Sequence, residues 1–392
     1  MKPLDVIVIG AGMGGLSCAL ALQRHGHSVR VYERTAELRP IGAAISIWPN
    51  GVKILRALGL GAPIDAAAGH MTRMSYRDRD GALLTGFPLT PLYERAGEIA
   101  RPIARTALQR ILLDAVQAQA PVRLGAACSG FTQHADGVTV RFADGRTDQA
   151  DLLVVADGSR SSLRDAVVGQ AVPRTYCGYV NWNGRIAISP ELGDADEWSQ
   201  FVGGGQRVSL MPMGDGQFYF FFDVPLAEDR IDAALAPGAT CRDELAAHFA
   251  GWAEPVQRLI AQLDPATVAR VAIHDTAPLD SLVDGRVALL GDAAHAMSPD
   301  LGQGGCQAIE DSWVLAEQLA ASNGDVRVAL AGYDAARAAR VASIVTRARE
   351  RAWVIHGRDP GLTAAWYAEL AREDGASIIA GLYKTVSSGP LQ

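Results

Sequence analysis

The sequence predicts an α/β fold in which a parallel sheet is interrupted by an antiparallel one and followed by helices. Three observations lead there. An apolar run at Leu4–Ile9 stops at a glycine-rich turn, "GAGMGG", and a helical stripe follows. Two later apolar runs close in a similar way, "DLLVVADGS" in Asp-Gly and "RVALLGDAAH" in Gly-Asp. Between those two the pattern changes to period-two alternation around a "GDG" turn, the mark of a hairpin.

Length and composition set the frame. A chain of 392 residues has room for two domains, or for one large domain with an insertion, and can bury a large core. A net charge of -7 with no basic block argues against a nucleic-acid binder. No apolar run reaches the length of a membrane span. The apolar start "MKPLDVIVIGAG" is too short for a signal sequence and is broken by Asp5, so it reads as a buried strand of a cytoplasmic protein. Cys18, Cys128, Cys177, Cys241 and Cys306 are scattered, with no CxxC or Cys/His cluster. Neither a disulfide framework nor a metal site is expected; small buried thiols are.

The elements follow in order. Leu4–Ile9 is near-continuously apolar, as a central parallel strand must be. Leu16, Ala19, Leu20 and Leu22 form a helical stripe that ends near Gly26. "HSVRVYE" alternates, with Val29 and Val31 inward. Together these make a βαβ opening. Residues 105–119 read as an amphipathic helix. From about Gly178 to Val224, "GYVNWNGRIAI", "QRVSLMPM" and "GQFYFFFDV" read as antiparallel strands. The tail from about Gly332 is helical and carries no legible chemistry.

"GAGMGG" fits GxGxxG with Gly10, Gly12 and Gly15. The first glycine permits the tight turn, the second lets backbone approach a pyrophosphate, and the third lets helix and strand pack closely. The helix N-terminus favours phosphate charge. Glu33 closes the second strand, where an acid accepts from a ribose hydroxyl. The first unit is therefore Rossmann-like and binds NAD or FAD. A second glycine loop decides between them: "VALLGDAAHAMSPDLGQGGCQAIED", Val287–Asp311, runs from a strand through "LGQGG" into a helix. Asp292 is placed to accept from ribityl hydroxyls, and the loop offers backbone N–H groups to a flavin ring and pyrophosphate. Two loops then serve one long cofactor, FAD. His295, within this stretch, reads as a structural histidine.

These stretches carry a family resemblance. "GAGMGG", "ADGSRSSLR" and "LLGDAAHAMSPDLGQGGCQAIED" resemble the three motifs of single-component FAD-dependent monooxygenases of the para-hydroxybenzoate hydroxylase type, over most of the chain through about Tyr333. Within that group, "GAAISIWPNGVKILRALG", "YVNWNG", "RVSLMPM", "FYFFFDVPL" and the ending "GLYKTVSSGPLQ" resemble the bacterial FAD-dependent urate hydroxylases. The resemblance implies a Rossmann-like FAD-binding domain (1–72, 100–172 and 275–335), an inserted antiparallel-sheet substrate domain (73–99 and 173–274) and C-terminal helices (336–392). It also implies the reaction. NADH reduces FAD, O2 adds at the flavin C4a, and the hydroperoxide hydroxylates urate at C5 to 5-hydroxyisourate.

Carried over residue by residue, the FAD contacts would be Gly12, Gly14, Glu33, Arg34, Ser46, Arg105, Cys128 (through its backbone), Asp157, Asp292 and the loop Gly302, Gln303, Gly304, Gly305, Cys306. Urate would be bound by Asn181, Arg207 and Tyr219, with Arg207 and Tyr219 also catalytic. NADH would visit a transient site; no second dinucleotide fold is visible, so NADPH stays open, as does oligomeric state.

The hairpin checks part of this independently. If "GDG" is a three-residue loop, Met211 faces Tyr219 and Arg207 faces Asp223, so Arg207, Ser209, Met211, Tyr219, Phe221 and Asp223 share one sheet face. Plainer readings stand beside the functional ones: Arg207 as a cross-strand ion pair with Asp223, Tyr219 as a core aromatic, Asn181 as a strand-edge polar residue. Urate is anionic near neutral pH, and a guanidinium offers paired donors to adjacent imide-type acceptors. The same flavin chemistry on a hydroxybenzoate-like aromatic acid is the alternative substrate. A flavin-binding redox protein without turnover is the alternative of another class.

Overall fold

The structure, a computed structural model, describes residues 3–38, 43–235 and 241–391. The parallel sheet forms around the first strand. Its order is Val283–Asp284, Val287–Leu289, Leu152–Val155, Asp5–Ile9, Ser28–Tyr32, Val122–Arg123. All neighbours are parallel except the edge pair of Val283–Asp284 with Val287–Leu289. Val6, Ile7 and Val8 are fully buried, which is why that stretch reads as unbroken apolar sequence. The helix Met13–Arg24 returns the chain to Ser28–Tyr32 and packs against Arg105–Gln117 and Gly304–Ala321. Strand order turns around between Asp5–Ile9 and Leu152–Val155, so a crevice opens beyond their carboxyl ends, where ligands of such sheets sit.

The second sheet has seven strands in the order Ala269–Thr276, Arg174–Ala187, Gln217–Pro225, Gln206–Met213, Glu197–Gly203, Arg73–Asp78, Leu83–Pro88. Its ladders are antiparallel except Glu197–Gly203 with Arg73–Asp78. Those two strands come from distant parts of the chain, so no hairpin fixes their direction. Along Gln217–Pro225 the residues alternate. Phe218, Phe220 and Phe222 join Trp182, Phe249 and Trp252 in a core closed by the helices Cys241–His248 and Glu254–Gln262. Tyr219, Phe221 and Asp223 face the other way.

Three helices complete the described chain: Val326–Ile355, Pro360–Leu370 and Ala376–Ser387. The border expected at 335/336 falls inside the continuous helix Val326–Ile355, and that at 274/275 falls inside the strand Ala269–Thr276. Both borders come from the family resemblance, which places motifs and not element ends. The cysteines are all free. Among the described residues no cluster suited to a metal occurs, and no helix is long and apolar enough to cross a membrane.

Candidate active site

The three glycines of the first loop divide as their spacing suggests. Gly10 has φ +110°, and a Cβ there would lie 2.2 Å from the Ala156 carbonyl oxygen. A Cβ on Gly15 would lie 1.9 Å from the Gly10 carbonyl oxygen. Gly12, by contrast, has nothing within 4 Å of its Cβ position. It caps the helix Met13–Arg24 and faces open cavity, so backbone there can meet a phosphate. Glu33 holds this loop shut at one side. Its Oε2 accepts from the Ala11 N–H at 2.9 Å, and its Oε1 accepts from the Thr35 N–H at 2.9 Å.

The second loop lies across the crevice. Gly302 has φ +62° and lies against Trp48, while Gly304 has no atom closer to its Cβ position than Met297 at 3.8 Å and Asp292 at 3.9 Å. Gly304 begins an 18-residue helix, Gly304–Ala321. Two helix N-termini therefore flank one cavity. Arg164, the last residue of "ADGSRSSLR", is buried and joins the loops. It donates to the carbonyls of Ala293 at 2.6 Å, Ser159 at 2.9 Å and Asp292 at 3.1 Å. The Asp292 carboxylate stays exposed with no protein donor among the described residues. Asp157 Oδ2 accepts from the Ser162 N–H at 3.0 Å; its Oδ1, Ser46 Oγ and Trp48 Nε1 are buried with no partner among the described residues.

A single cavity of about 1050 Å³ connects both loops to the open face of the second sheet. The expected hairpin register holds: Arg207 is opposite Asp223 and Met211 opposite Tyr219, around the three-residue turn Gly214–Asp215–Gly216. Arg207 is only 6% exposed. Its Nε donates to Asp223 Oδ2 at 2.8 Å and its Nη2 to Asp300 Oδ1 at 2.9 Å, leaving Nη1 without an acceptor among the described residues. Burial opposes the guanidinium's charge, but Asp223 and then Asp300 outweigh it and raise its pKa. Asp300 in turn accepts from the Tyr179 hydroxyl at 2.7 Å and lies 3.0 Å from His356 Nε2. The Tyr219 hydroxyl has no hydrogen-bond partner among the described residues, and burial pushes its pKa up to about 12.

Of the expected cofactor residues, Gly12, Gly14, Glu33, Arg34, Ser46, Arg105, Cys128, Asp157, Asp292, Gly302, Gln303, Gly304 and Gly305 all line this cavity, as do Asn181, Arg207 and Tyr219. Cys306 does not. It lies in the first turn of its helix, fully buried, with Sγ accepting from the Trp48 N–H at 3.3 Å. Asn181 is less free than expected. Its amide donates to Asp223 Oδ1 at 2.6 Å and its carbonyl accepts from Asn183 Nδ2 at 2.7 Å. His295 is buried against Asp311 at 2.6 Å, the structural place expected for it. Asn183 and Asp300 were not anticipated. Asn183 was within reach of period-two reasoning from Asn181; Asp300 was not, because its partner Arg207 is brought to it by tertiary packing. The C-terminal helices, from which no chemistry was read, supply Arg347, Arg351, Trp366 and Leu370 to the same cavity.

The family description FAD binding domain fits residues 3–348. The FAD-dependent urate hydroxylase of Klebsiella pneumoniae is 50% identical over 393 residues, 99% of this chain and 100% of its own. This chain belongs to the FAD-dependent urate hydroxylases. The enzyme of that name from Mycolicibacterium vanbaalenii is 44% identical over 397 residues, 99% of this chain and 98% of its own. The crystal structure of Klebsiella pneumoniae HpxO complexed with FAD and uric acid matches with a TM-score of 0.93 at 49% identity, covering 99% of this chain and 98% of that one. The protein is accordingly an FAD-dependent monooxygenase, and the cavity fits its cofactor. Gly12 presents bare backbone to the cavity, and Ser46 Oγ and Asp157 Oδ1 are buried polar atoms of its lining residues with no partner among the described residues.

Proposed function

We propose that the protein hydroxylates urate at C5, consuming NADH, a proton and O2 and giving 5-hydroxyisourate, NAD+ and water. The observation that carries this is the pairing, on one wall of the flavin cavity, of an unused Arg207 Nη1 with an unused Tyr219 hydroxyl. Urate presents an anionic, imide-like edge that such donors match. The named relatives and the uric acid bound in the HpxO structure support the same substrate.

FAD would be held by Gly12, Gly14, Asp157 and Asp292 along its phosphates and ribityl chain. Glu33 and Arg34 would lie at the adenosine end with Cys128, and Ser46 and Arg105, on the strand pair that packs beside Tyr219, would lie towards the ring. The loop Gly302–Gly305 would lie at the ring. When bound it accepts hydride from NADH and activates oxygen. Arg207 keeps its charge because Asp223 and Asp300 flank it, and its free Nη1 binds the urate anion and the charge spread over the ring during oxygen transfer. Tyr219 stays protonated, since its pKa is about 12, and orients the ring as a donor. Asn181 acts mainly through Asp223, which it holds against Arg207.

The test is NADH oxidation by the purified yellow protein with and without urate, together with 5-hydroxyisourate formed per NADH. Acceleration by urate with product formation is expected. Acceleration by hydroxybenzoates alone would transfer the chemistry to aromatic acids. No acceleration by either would leave a flavin protein without turnover.

A further inference from the structure

The buried and partly buried arginines of the long helix Val326–Ile355 are of two kinds. Arg337 is matched by Glu310 and Asp311, Arg340 by Glu310, and Arg349 by Asp275. Arg347 and Arg351 are partly buried, yet no carboxylate of the described residues lies within ion-pair distance of either. Both line the cavity, one helical turn apart, with Ile355 next on the same face. Each is oriented without being neutralised. Arg347 Nη2 donates to Thr385 Oγ1 at 2.8 Å, and the Arg351 guanidinium lies 4.5 Å from the centroid of the Trp366 ring. Partial burial of unpaired charge is unfavourable, and packing alone does not call for two such groups.

Position suggests what they serve. His356 follows Ile355 and contacts Asp300, which contacts Arg207. The row Arg347–Arg351–Ile355 thus runs along the helix towards the Arg207 wall. Two acids share this wall, and neither lies within ion-pair distance of Arg347 or Arg351. The Glu373 carboxylate accepts from the N–H groups of Gly375 and Ser377 and from the Ser377 hydroxyl. Glu369 is exposed.

We propose that Arg347 and Arg351 form an anion-binding waypoint that draws the planar purine anion along the C-terminal wall of the cavity to Arg207. Guanidinium groups with no carboxylate partner on a cavity wall attract an anion and speed its capture, and ionic strength weakens the effect. This rests on the urate reading above.

The experiment measures kcat/KM for urate against ionic strength, at saturating NADH, in Arg347→Gln, Arg351→Gln, the double variant and Arg351→Lys. Flavin content and thermal midpoint are followed alongside. The double variant is expected to lose roughly tenfold in kcat/KM at low salt, with a much smaller change in kcat and a flattened salt dependence. Arg351→Lys should recover most of the loss. Arg327→Gln removes the same charge from an exposed position of the same helix, off the cavity, and should behave as wild type. Should Arg351→Gln fold poorly, Arg347→Gln, which gives up one hydrogen bond to Thr385, carries the comparison. The inference is overturned by an unchanged salt slope in the double variant, by an equal loss in Arg327→Gln, or by a loss in kcat/KM for NADH at saturating urate instead. Failure of the urate reading itself would show in the wild type, as no turnover of urate before any variant is compared.

Discussion

Arg207 and Asp223 face each other across the hairpin, with Nε 2.8 Å from Oδ2, and both side chains are buried. The ion pair and the ligand-binding role are therefore not alternatives. Asp223 and Asp300 occupy Nε and Nη2 and orient the guanidinium; Nη1 is what remains for a ligand. An exposed pair of this kind would contribute at most about 1 kcal/mol. A buried arginine between two carboxylates costs more to remove, because the acids stay behind without a cation.

Arg207→Gln is accordingly expected to do two things at once. The hydroxylation step should slow by roughly 10²–10³, the usual effect of losing a preorganised donor of about 2.7–4 kcal/mol. Flavin should stay bound and reducible by NADH, so NADH consumption should run on to hydrogen peroxide. Stability should fall by about 3–5 kcal/mol, as for a buried pair broken by removing one partner. Product formed per NADH and the thermal midpoint separate the two effects. Unchanged coupling in the folded variant would remove Arg207 from the reaction.

Glu33→Ala should lower flavin retention roughly ten- to hundredfold, the equivalent of about 1.5–3 kcal/mol for a charge-assisted hydrogen bond. The structure adds a second consequence. Because Glu33 also accepts from Ala11 and Thr35, the flavin-free variant should itself be less stable than the flavin-free wild type. Substrate preference should not move. Full flavin occupancy in protein purified at micromolar concentration would contradict the assignment.

What the sequence disclosed, and what it hid, follows from the range of each interaction. Gly10 and Gly15 were legible because a tight turn and a close helix–strand contact are local demands. The register of Arg207 and Tyr219 was legible because an odd loop length fixes which residues share a face, and the same argument reaches Asn183. Asp300 was hidden: it stands next to the glycine loop in sequence, yet it turns to a strand 93 residues away. Cys306 was assigned to the loop by its motif, but helical geometry in the first turn carries its side chain to the Trp48 side. The C-terminal segment reads as helical without showing what it packs against, so its share of the cavity wall was invisible.

Asp292→Ala and His295→Ala make a matched pair from one short helix. The Asp292 carboxylate is exposed to the cavity, so its loss should yield protein purified largely colourless but normally folded. His295 is buried on Asp311, so its loss should cost about 1–3 kcal/mol of stability while the protein stays yellow. Visible absorbance per mole of protein and the urea midpoint report the two properties separately. If both variants stay yellow, the second glycine loop does not anchor the flavin.

Asp311 makes the acid limb of stability testable. Its carboxylate accepts from the Gly291 N–H at 2.9 Å, contacts His295 at 2.6 Å and pairs with Arg337 at 2.7 Å. Burial pushes its pKa up, but His295 and then Arg337 reverse that and hold it at about 2, below the ordinary 3.8. A carboxyl depressed in the folded state stabilises it fully above the unfolded value, and that contribution is lost as pH falls through the folded one. The wild type should therefore lose stability between about pH 4 and about pH 2. Glu310, depressed against burial by Arg340 and Arg337, adds to the loss in the same direction. Asp311→Asn should be less stable at neutral pH by about 3–5 kcal/mol, the effect of breaking a buried pair. Its urea midpoint should also fall less steeply with acid than that of the wild type. Parallel pH profiles for the two proteins would show that Asp311 is not held ionised by its neighbours.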